Sequence, residues 1–135
     1  IKIQNNMEEN TEKKEIEVTK EEVKENTISY EEFKKVEMRV GKIISAEIVE
    51  NADKLYKFMV DIGEEKPRQI LSAIREYYTD PEFFIGKKLV FVTNLAPRMI
   101  RGLESQGMVV AVDGNEDQPI FLVPEEDVKS GSKAR

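Results

Sequence analysis

The sequence predicts an all-β domain built on a small five-stranded barrel, with short helices and a C-terminal extension. Apolar residues alternate with polar ones at period two in several stretches of strand length, which is the pattern of half-buried strands. Three such stretches come before a short helical segment around Pro81, and two or three follow it. Strands in this order over about 100 residues are typical of an OB-fold barrel, although the pattern is also compatible with an SH3-like barrel.

The predicted domain opens on a short helix. Ser29 is followed three residues later by Glu32, which is the signature of a capping box in which each side chain accepts the other residue's backbone amide. The apolar spacing after it predicts a helix over 30–36 that turns Tyr30 and Phe33 toward the core.

A long strand follows this helix. Apolar residues alternate from Met38 to Ile48 and are interrupted only near Gly41, which predicts one strand bent at that glycine. A second helical or turn-like segment is expected over 77–84. Further strands are predicted over 56–62, 69–74, 88–93, 107–112 and 120–123, and residues 124–135 are expected to trail off as the C-terminal extension.

Residues 1–28 are predicted to form a charged linker or tail. Of the 27 residues before Ile28, 13 are charged, and all ten aromatic residues lie between Tyr30 and Phe121. Such a segment cannot bury enough apolar surface to offset the entropy lost on ordering. The sequence therefore predicts that the folded domain comprises residues 29–135.

Cys, His and Trp are all absent from the 135 residues. Without Cys the chain has no disulfide scaffold and no thiolate zinc site. Without His it lacks the Ser-His-Asp triad, imidazole metal ligands and the commonest general base at neutral pH. We therefore predict that this chain is not an enzyme and has no catalytic residue, no metal site and no cofactor.

No segment has the pattern of a membrane or export sequence. The longest apolar runs are four and five residues, far short of the ~20 that cross a bilayer. No charged-then-apolar leader stands at the start. We expect a cytoplasmic protein with no membrane partner, and because the first residue is Ile1, we expect the chain to be cut from a longer polypeptide.

Basic side chains are concentrated locally although the net charge is −6. Residues 66–75 and 86–103 contain no acidic residue, and clusters of this kind release counterions when they bind nucleic acid phosphates. The alternative is that acids are missing from the second stretch because half of it is a buried strand. The basic residues are Lys66, Arg68 and Arg75 in the first stretch and Lys87, Lys88, Arg98 and Arg101 in the second.

The predicted loop 94–103 has the most informative composition. It combines two arginines and the amide of Asn94 with several apolar residues, a mixture that can grip an RNA backbone and stack on bases. The alternative is a surface loop whose apolar residues cap the barrel end. Just beyond it, Gly107 permits a close backbone approach, and Met108 is either a flexible apolar contact or a core residue.

Six segments together resemble the tRNA-binding domain family, and within it the C-terminal domains of methionyl-tRNA synthetases. The resemblance runs from about Ile28 to Arg135 with the segments in order and at family spacing. One departure is Ala73, where many relatives have glycine. The segments are 36–43 (VEMRVGKI), 51–55 (NADKL), 67–72 (PRQILS), 86–94, 101–108 (RGLESQGM) and 131–135 (GSKAR).

The resemblance implies an OB-fold with a C-terminal extension that forms a homodimer and binds the outer corner of tRNA by shape, with little base specificity. It also implies that the catalytic part of the synthetase lies upstream in the parent chain. The alternative is a free-standing tRNA-binding protein, or a chaperone-like protein-interaction module of the same fold.

Carried onto this sequence, the resemblance implies a binding surface around the loop 51–55 and the loop that ends at Met108. The basic stretches add two further phosphate contacts, and Asp53 is expected to hold the amides of its own turn. The predicted RNA-binding residues are Asn51, Lys54, Arg68, Ser72, Asn94, Arg98, Arg101, Ser105 and Met108.

Overall fold

The computed structural model describes residues 25–135, which divide into two compact units at the boundary between Lys35 and Val36. Most of the predicted linker, residues 1–28, lies outside the described residues. No helix in the described part is long and apolar enough to span a membrane.

The first unit contains α1, the helix Tyr30–Phe33. The capping box is confirmed, because Ser29 Oγ accepts the amide of Glu32 at 3.1 Å and Glu32 Oε1 accepts the amide of Ser29 at 3.4 Å. The helix ends three residues earlier than expected and none of its residues is buried, so the expected inward packing of Tyr30 and Phe33 is wrong. A single helical turn has too few apolar positions to form a buried stripe.

The second unit is built on ten strands. The sheet order is β3-β2-β1-β4-β7 with every pair antiparallel, and β5–β6 and β8–β9 form two separate hairpins. Short 3₁₀ helices occupy Pro81–Phe83 and Asn115–Asp117. The strands are β1 Met38–Ile48, β2 Tyr56–Asp61, β3 Arg68–Ser72, β4 Lys88–Val92, β5 Arg98–Ile100, β6 Leu103–Ser105, β7 Met108–Val109, β8 Ala111–Asp113, β9 Pro119–Phe121 and β10 Lys133–Ala134.

The sheet nearly closes into a five-stranded barrel, which confirms the predicted all-β, OB-like fold. Closure comes where the outer edge of β3 meets the turn between β6 and β7. Gln106 donates its amide to Gln69 O at 2.8 Å, and Gln106 Oε1 accepts the amide of Gln69 at 3.1 Å. Nε2 of Gln69 also donates to Glu104 O at 2.9 Å. These bonds satisfy edge groups that would otherwise be open.

The long strand β1 is continuous as predicted, but its irregularity is not at the glycine. Its register against β2 shifts between Ile43 and Ser45, which is the mark of a β-bulge. Gly41 has a packing role instead, because a Cβ there would lie 2.5 Å from Val60 Cγ1.

The core is aromatic on one side of the barrel. Phe84, which directly follows the first 3₁₀ helix, is fully buried, and its ring lies 4.9 Å from Phe58 and 5.5 Å from Tyr56. Tyr56 donates its hydroxyl to Tyr78 O at 2.6 Å, and burial raises the pKa of that phenol. The fully buried side chains are Ile43, Tyr56, Phe58, Val60, Ile62, Ile70, Phe84, Leu89 and Phe91.

Two sequence expectations for the C-terminal part are wrong. The single strand expected over 107–112 is divided into β7 and β8 at Val110, whose amide donates to Val90 O at 2.9 Å. The last residues do not trail off, because β10 pairs with β1 and Gly131 donates its amide to Val40 O at 2.7 Å. The start of β1 has no β2 partner, so its backbone groups need this second neighbour.

Candidate nucleic-acid interface

The segment expected to be a loop over 94–103 contains a β-hairpin instead. β5 and β6 pair up to Ile100 opposite Leu103, and the two residues between them, Arg101 and Gly102, have φ values of 52° and 80°. Two consecutive positive φ values define the type I′ turns that join hairpin strands. The Arg-Gly pair between the apolar residues Ile100 and Leu103 is the signal in the sequence that indicates such a turn.

A small apolar cluster fixes this hairpin to two other segments. Ile100 and Leu103 pack against buried Ala52, Leu55 and Leu71. Ala52 and Leu55 belong to the loop between β1 and β2, and Leu71 belongs to β3. The two loops that the sequence analysis assigned to one binding surface therefore meet in the structure.

The loop 49–55 presents polar groups from a fixed backbone. Asn51 is exposed and its backbone has a left-handed conformation, with φ of 63°. It lies in a turn that is closed by a hydrogen bond from the amide of Ala52 to Val49 O. The side chain of Lys54 is 65% exposed and lies 3.6 Å from Glu76 Oε2. The side chain of Asp53 makes no hydrogen bond within residues 25–135, so it does not hold the turn as expected.

The hairpin supplies exposed arginines without acidic partners. Arg98 and Arg101 are both exposed, and within the described residues neither guanidinium makes an ion pair or a hydrogen bond. Met99 on the same hairpin is 65% exposed, and Met108 on β7 is 49% exposed. Met108 is therefore available for contact and is not a core residue.

The other basic residues of the second stretch lie elsewhere. Lys88, at the start of β4, is 2.8 Å from Asp127 Oδ1, and the ammonium of Lys87 lies 4.3 Å from the centre of the Phe83 ring. Lys87 directly precedes β4 and Lys88 is its first residue, whereas Arg98 and Arg101 follow it. The acid-free stretch is thus divided between the two ends of one strand, and only its arginines belong to the hairpin surface.

Arg68 is held by protein groups on nearly all its donors. Its Nε and Nη2 bind the two carboxylate oxygens of Glu64 at 2.9 and 2.8 Å, and its Nη1 donates to the carbonyls of Thr93 and Gln106. This bidentate bond lowers the pKa of Glu64. Thr93 and Gln106 stand at the two ends of the excursion that contains the hairpin, so Arg68 joins those ends.

Two predicted serines are buried. Ser72 lies on β3 and is 8% exposed. Ser105 is 5% exposed, and its hydroxyl accepts the amide of Leu71 at 3.0 Å and donates to Gly107 O at 3.2 Å. The structure thus gives the Ser105 hydroxyl two protein partners.

Asn94 is exposed, and its side chain forms a hydrogen bond with the residue that precedes β1. Its Oδ1 accepts the amide of Glu37 at 2.8 Å. The next residue back, Thr93, donates its hydroxyl to Glu37 Oε1 at 2.7 Å, and this bond together with Arg39 lowers the pKa of Glu37. The carboxylate lies 3.2 Å from Arg39 Nε. This network fixes the point at which the chain leaves β4 for the hairpin.

The nine predicted residues therefore fall into two groups. The first group is exposed around the hairpin and its supporting loop: Asn51, Lys54, Asn94, Arg98, Arg101 and Met108. The second group is largely enclosed and bonds or packs beneath that surface: Arg68, Ser72 and Ser105.

Known proteins share both the sequence and the fold of this chain. The family model described as "Putative tRNA binding domain" matches residues 38–133. The methionine–tRNA ligase of Caldanaerobacter subterraneus subsp. tengcongensis is 49% identical over 125 residues, which is 90% of this chain and 19% of that protein. The chain spans only 15–19% of the length of the methionine–tRNA ligases that it matches.

Two solved structures have the same architecture. The MetRS related protein from Pyrococcus horikoshii superposes with a TM-score of 0.74 at 33% identity, covering 81% of this chain and 98% of that one. The CsaA chaperone protein from Picrophilus torridus superposes with a TM-score of 0.72 at 26% identity, covering 81% of this chain and 100% of that one. By its family match and its sequence identity to these relatives, the chain belongs to the tRNA-binding domain family.

Proposed function

We propose that this chain is a non-catalytic tRNA-binding module of a methionine–tRNA ligase, attached to a catalytic part that lies upstream in the parent polypeptide. The observation that carries the proposal is the hairpin β5–β6, whose exposed Arg98 and Arg101 have no acidic partner within the described residues. The hairpin rests on the loop that presents Asn51 and Lys54. The family match and the ligase relatives support this assignment.

The arrangement favours binding to the RNA backbone. Arginine and lysine side chains contact phosphates whatever the base, and the amide of Asn51 can donate to a phosphate or a ribose hydroxyl. The surface is fixed from beneath by the apolar cluster, so it suits an RNA of defined shape such as the outer corner of tRNA. The module requires no cofactor for this role, and its location in the cytoplasm stays a prediction.

We expect the module to act through its attachment to the ligase. A second tRNA-binding site on the same polypeptide raises the effective concentration of tRNA near the catalytic part, and two copies in a dimer raise it again. The expected effect is tighter binding of tRNA by the parent enzyme without a change in its chemistry.

Titration of labelled tRNA at two or more salt concentrations tests the binding mode. The variant Lys54→Ala/Arg101→Ala removes two charges at the proposed surface. The control Lys42→Ala/Lys87→Ala removes two charges from exposed lysines at the other end of β4. We expect the first variant to bind at least tenfold more weakly and to reduce the slope of log affinity against log salt by about 2. Salt-insensitive binding, or equal losses in both variants, would contradict the proposal.

We also propose a homodimer through the face of the β8–β9 hairpin. Val112 and Ile120 are cross-strand partners, 50% and 43% exposed, and the nearby Val123 is 61% exposed. Neighbouring exposed apolar side chains of this kind are the mark of an interaction surface. Sedimentation at micromolar concentration should show a dimer that Ile120→Glu dissociates and Ile44→Glu, at an equally exposed position, does not. A monomer in the unmodified chain contradicts this part of the proposal.

The second candidate is a free-standing or chaperone-like protein-interaction module. It is favoured by the CsaA chaperone structure, whose whole chain is covered by the match. Competition separates the two candidates, because an unfolded peptide should displace tRNA only if the two share a surface. Displacement at micromolar peptide would favour the chaperone-like function.

A further inference from the structure

An open cleft of about 500 Å³ lies beside the hairpin and is not used by the contacts proposed so far. One wall is Pro67, which precedes β3, and the other is formed by Leu95 and Pro97, which follow β4. Leu95 is 48% exposed. Pro97 directly precedes Arg98, so the lining of the cleft and the hairpin proposed to bind tRNA are neighbours along the chain.

Arg68 lines this cleft, and its guanidinium is already hydrogen-bonded to the protein. Four of its five N–H donors are occupied by Glu64, Thr93 and Gln106. All four bonds use the edges of the guanidinium, since its N–H groups lie in its plane. What remains for a ligand is mainly the flat face, and the face of a guanidinium stacks on nucleobases.

The charge of the cleft favours an anionic ligand. Among the described residues that line it, the acidic one is Glu64, whose charge is neutralised by the bidentate bond from Arg68. Lys66 is exposed and makes no ion pair or hydrogen bond within residues 25–135. Gln106 uses its side-chain oxygen to accept the amide of Gln69, and its amino group makes no hydrogen bond within the part of the chain that the structure describes.

We infer that this cleft receives one unstacked nucleotide of the bound tRNA. The base stacks on the guanidinium face of Arg68 between Pro67 and Leu95, and its phosphate lies toward Lys66. The amino group of Gln106 donates to an acceptor on the base edge. This inference rests on the proposed tRNA-binding function and adds a nucleotide subsite to the backbone contacts.

The subsite would be tolerant of sequence. Stacking is available to every base, because each has a flat π face, and a single amide donor discriminates weakly among acceptors. A fully paired helix keeps its bases stacked inside the duplex, so it can contact the arginines of the hairpin but cannot fill the cleft.

Two blunt-ended RNA duplexes with the same number of base pairs test the inference with the full 135-residue chain. One is fully paired and the other carries one additional, bulged 4-thiouridine. Anisotropy titrations should show about tenfold tighter binding of the bulged RNA, the gain expected from stacking one base. Irradiation should cross-link the bulged nucleotide to peptides that contain residues 66–68 or 95–97.

Variants then test whether the preference for the bulged RNA arises in the cleft. Leu95→Ala with Lys66→Ala should reduce the tenfold ratio to about one. Ile85→Ala is the control, since Ile85 is 42% exposed and is not among the residues that line the cleft. It should keep the ratio. Equal affinity for the two RNAs, or cross-links confined to other peptides, would contradict the nucleotide subsite. If tRNA binding were still salt-dependent in that case, the proposed function would be retained. Failure to bind tRNA at all would overturn both.

Discussion

The hydroxyl of Ser105 accepts a hydrogen bond from the backbone amide of Leu71 at 3.0 Å, in a buried position where β6 meets the edge of β3. The same hydroxyl donates to the carbonyl of Gly107 at 3.2 Å. Two segments that are distant in sequence are thus joined beneath the surface proposed to bind tRNA. A residue that resembles a binding residue in sequence supports that surface from inside.

Ser105→Ala should destabilise the protein by about 1–3 kcal/mol, because it leaves the buried amide of Leu71 without an acceptor. Urea denaturation measures the change. Ser45→Ala is the control, since Ser45 is half-buried on β1 and its hydroxyl makes no hydrogen bond within the described residues. Equal effects of the two substitutions would contradict the structural role of Ser105.

Arg68→Lys keeps the charge but cannot reproduce the four hydrogen bonds to Glu64, Thr93 and Gln106. We expect a loss of about 2 kcal/mol in the free energy of unfolding. Amide exchange should accelerate across 98–105, because the two ends of that excursion lose their common partner. Arg75→Lys, at a guanidinium with no hydrogen bond or ion pair in the described part, should change neither quantity. Unchanged exchange in Arg68→Lys would contradict the role of Arg68 in joining the two ends of the excursion.

Much of the fold is predictable because it depends on local pattern. The alternation from Met38 to Ile48 and the capping box at Ser29 each specify one element from neighbouring residues, and both are confirmed. The pairing of β10 with β1 is not predictable in this way, because the short segment Lys133–Ala134 has no strand pattern of its own. Its partner is decided by which backbone groups of β1 lack one.

The sequence indicates which residue types could contact RNA but does not show what surrounds each side chain. By residue type alone, Arg68 and Arg101 are equally good candidates for a phosphate contact. Only the tertiary structure shows that the guanidinium of Arg68 is paired with Glu64, whereas that of Arg101 has no partner in the described part. The division of the basic stretch by β4, in contrast, follows from the strand predicted over 88–93, because a strand separates its two ends in space.

Stability should fall in acid partly through Glu37. The Thr93 hydroxyl and Arg39 hold its folded-state pKa below the ordinary value of 4.5. A carboxyl with a lowered folded pKa contributes stability that is present above the unfolded pKa and is lost as the pH falls through the folded one. Urea unfolding from pH 7 down to about pH 3 should therefore show a decline below about 4.5 that is shallower in Glu37→Gln. Glu50→Gln, at an exposed position, is the charge-matched control. Parallel declines in the wild type and Glu37→Gln would contradict the assignment.

Alanine substitutions at two glycines with similar φ values distinguish the free-energy cost of backbone strain from the cost of a steric clash. Gly86 and Gly131 have φ values of 84° and 93°, so alanine at either position is strained by about 1 kcal/mol. A Cβ at Gly86 would meet nothing within 4 Å, whereas at Gly131 it would lie 2.7 Å from Ile62 O and 2.9 Å from Gly63 Cα.

Gly131→Ala should therefore destabilise the protein by about 1–3 kcal/mol more than Gly86→Ala, since the clash is with backbone atoms that cannot rotate away. Urea denaturation of both variants gives the difference. Because Gly131 donates its amide to Val40 O, amide exchange at the start of β1 should also accelerate in Gly131→Ala alone. Equal losses of stability in the two variants would contradict the close packing of Gly131 against the backbone of Ile62 and Gly63.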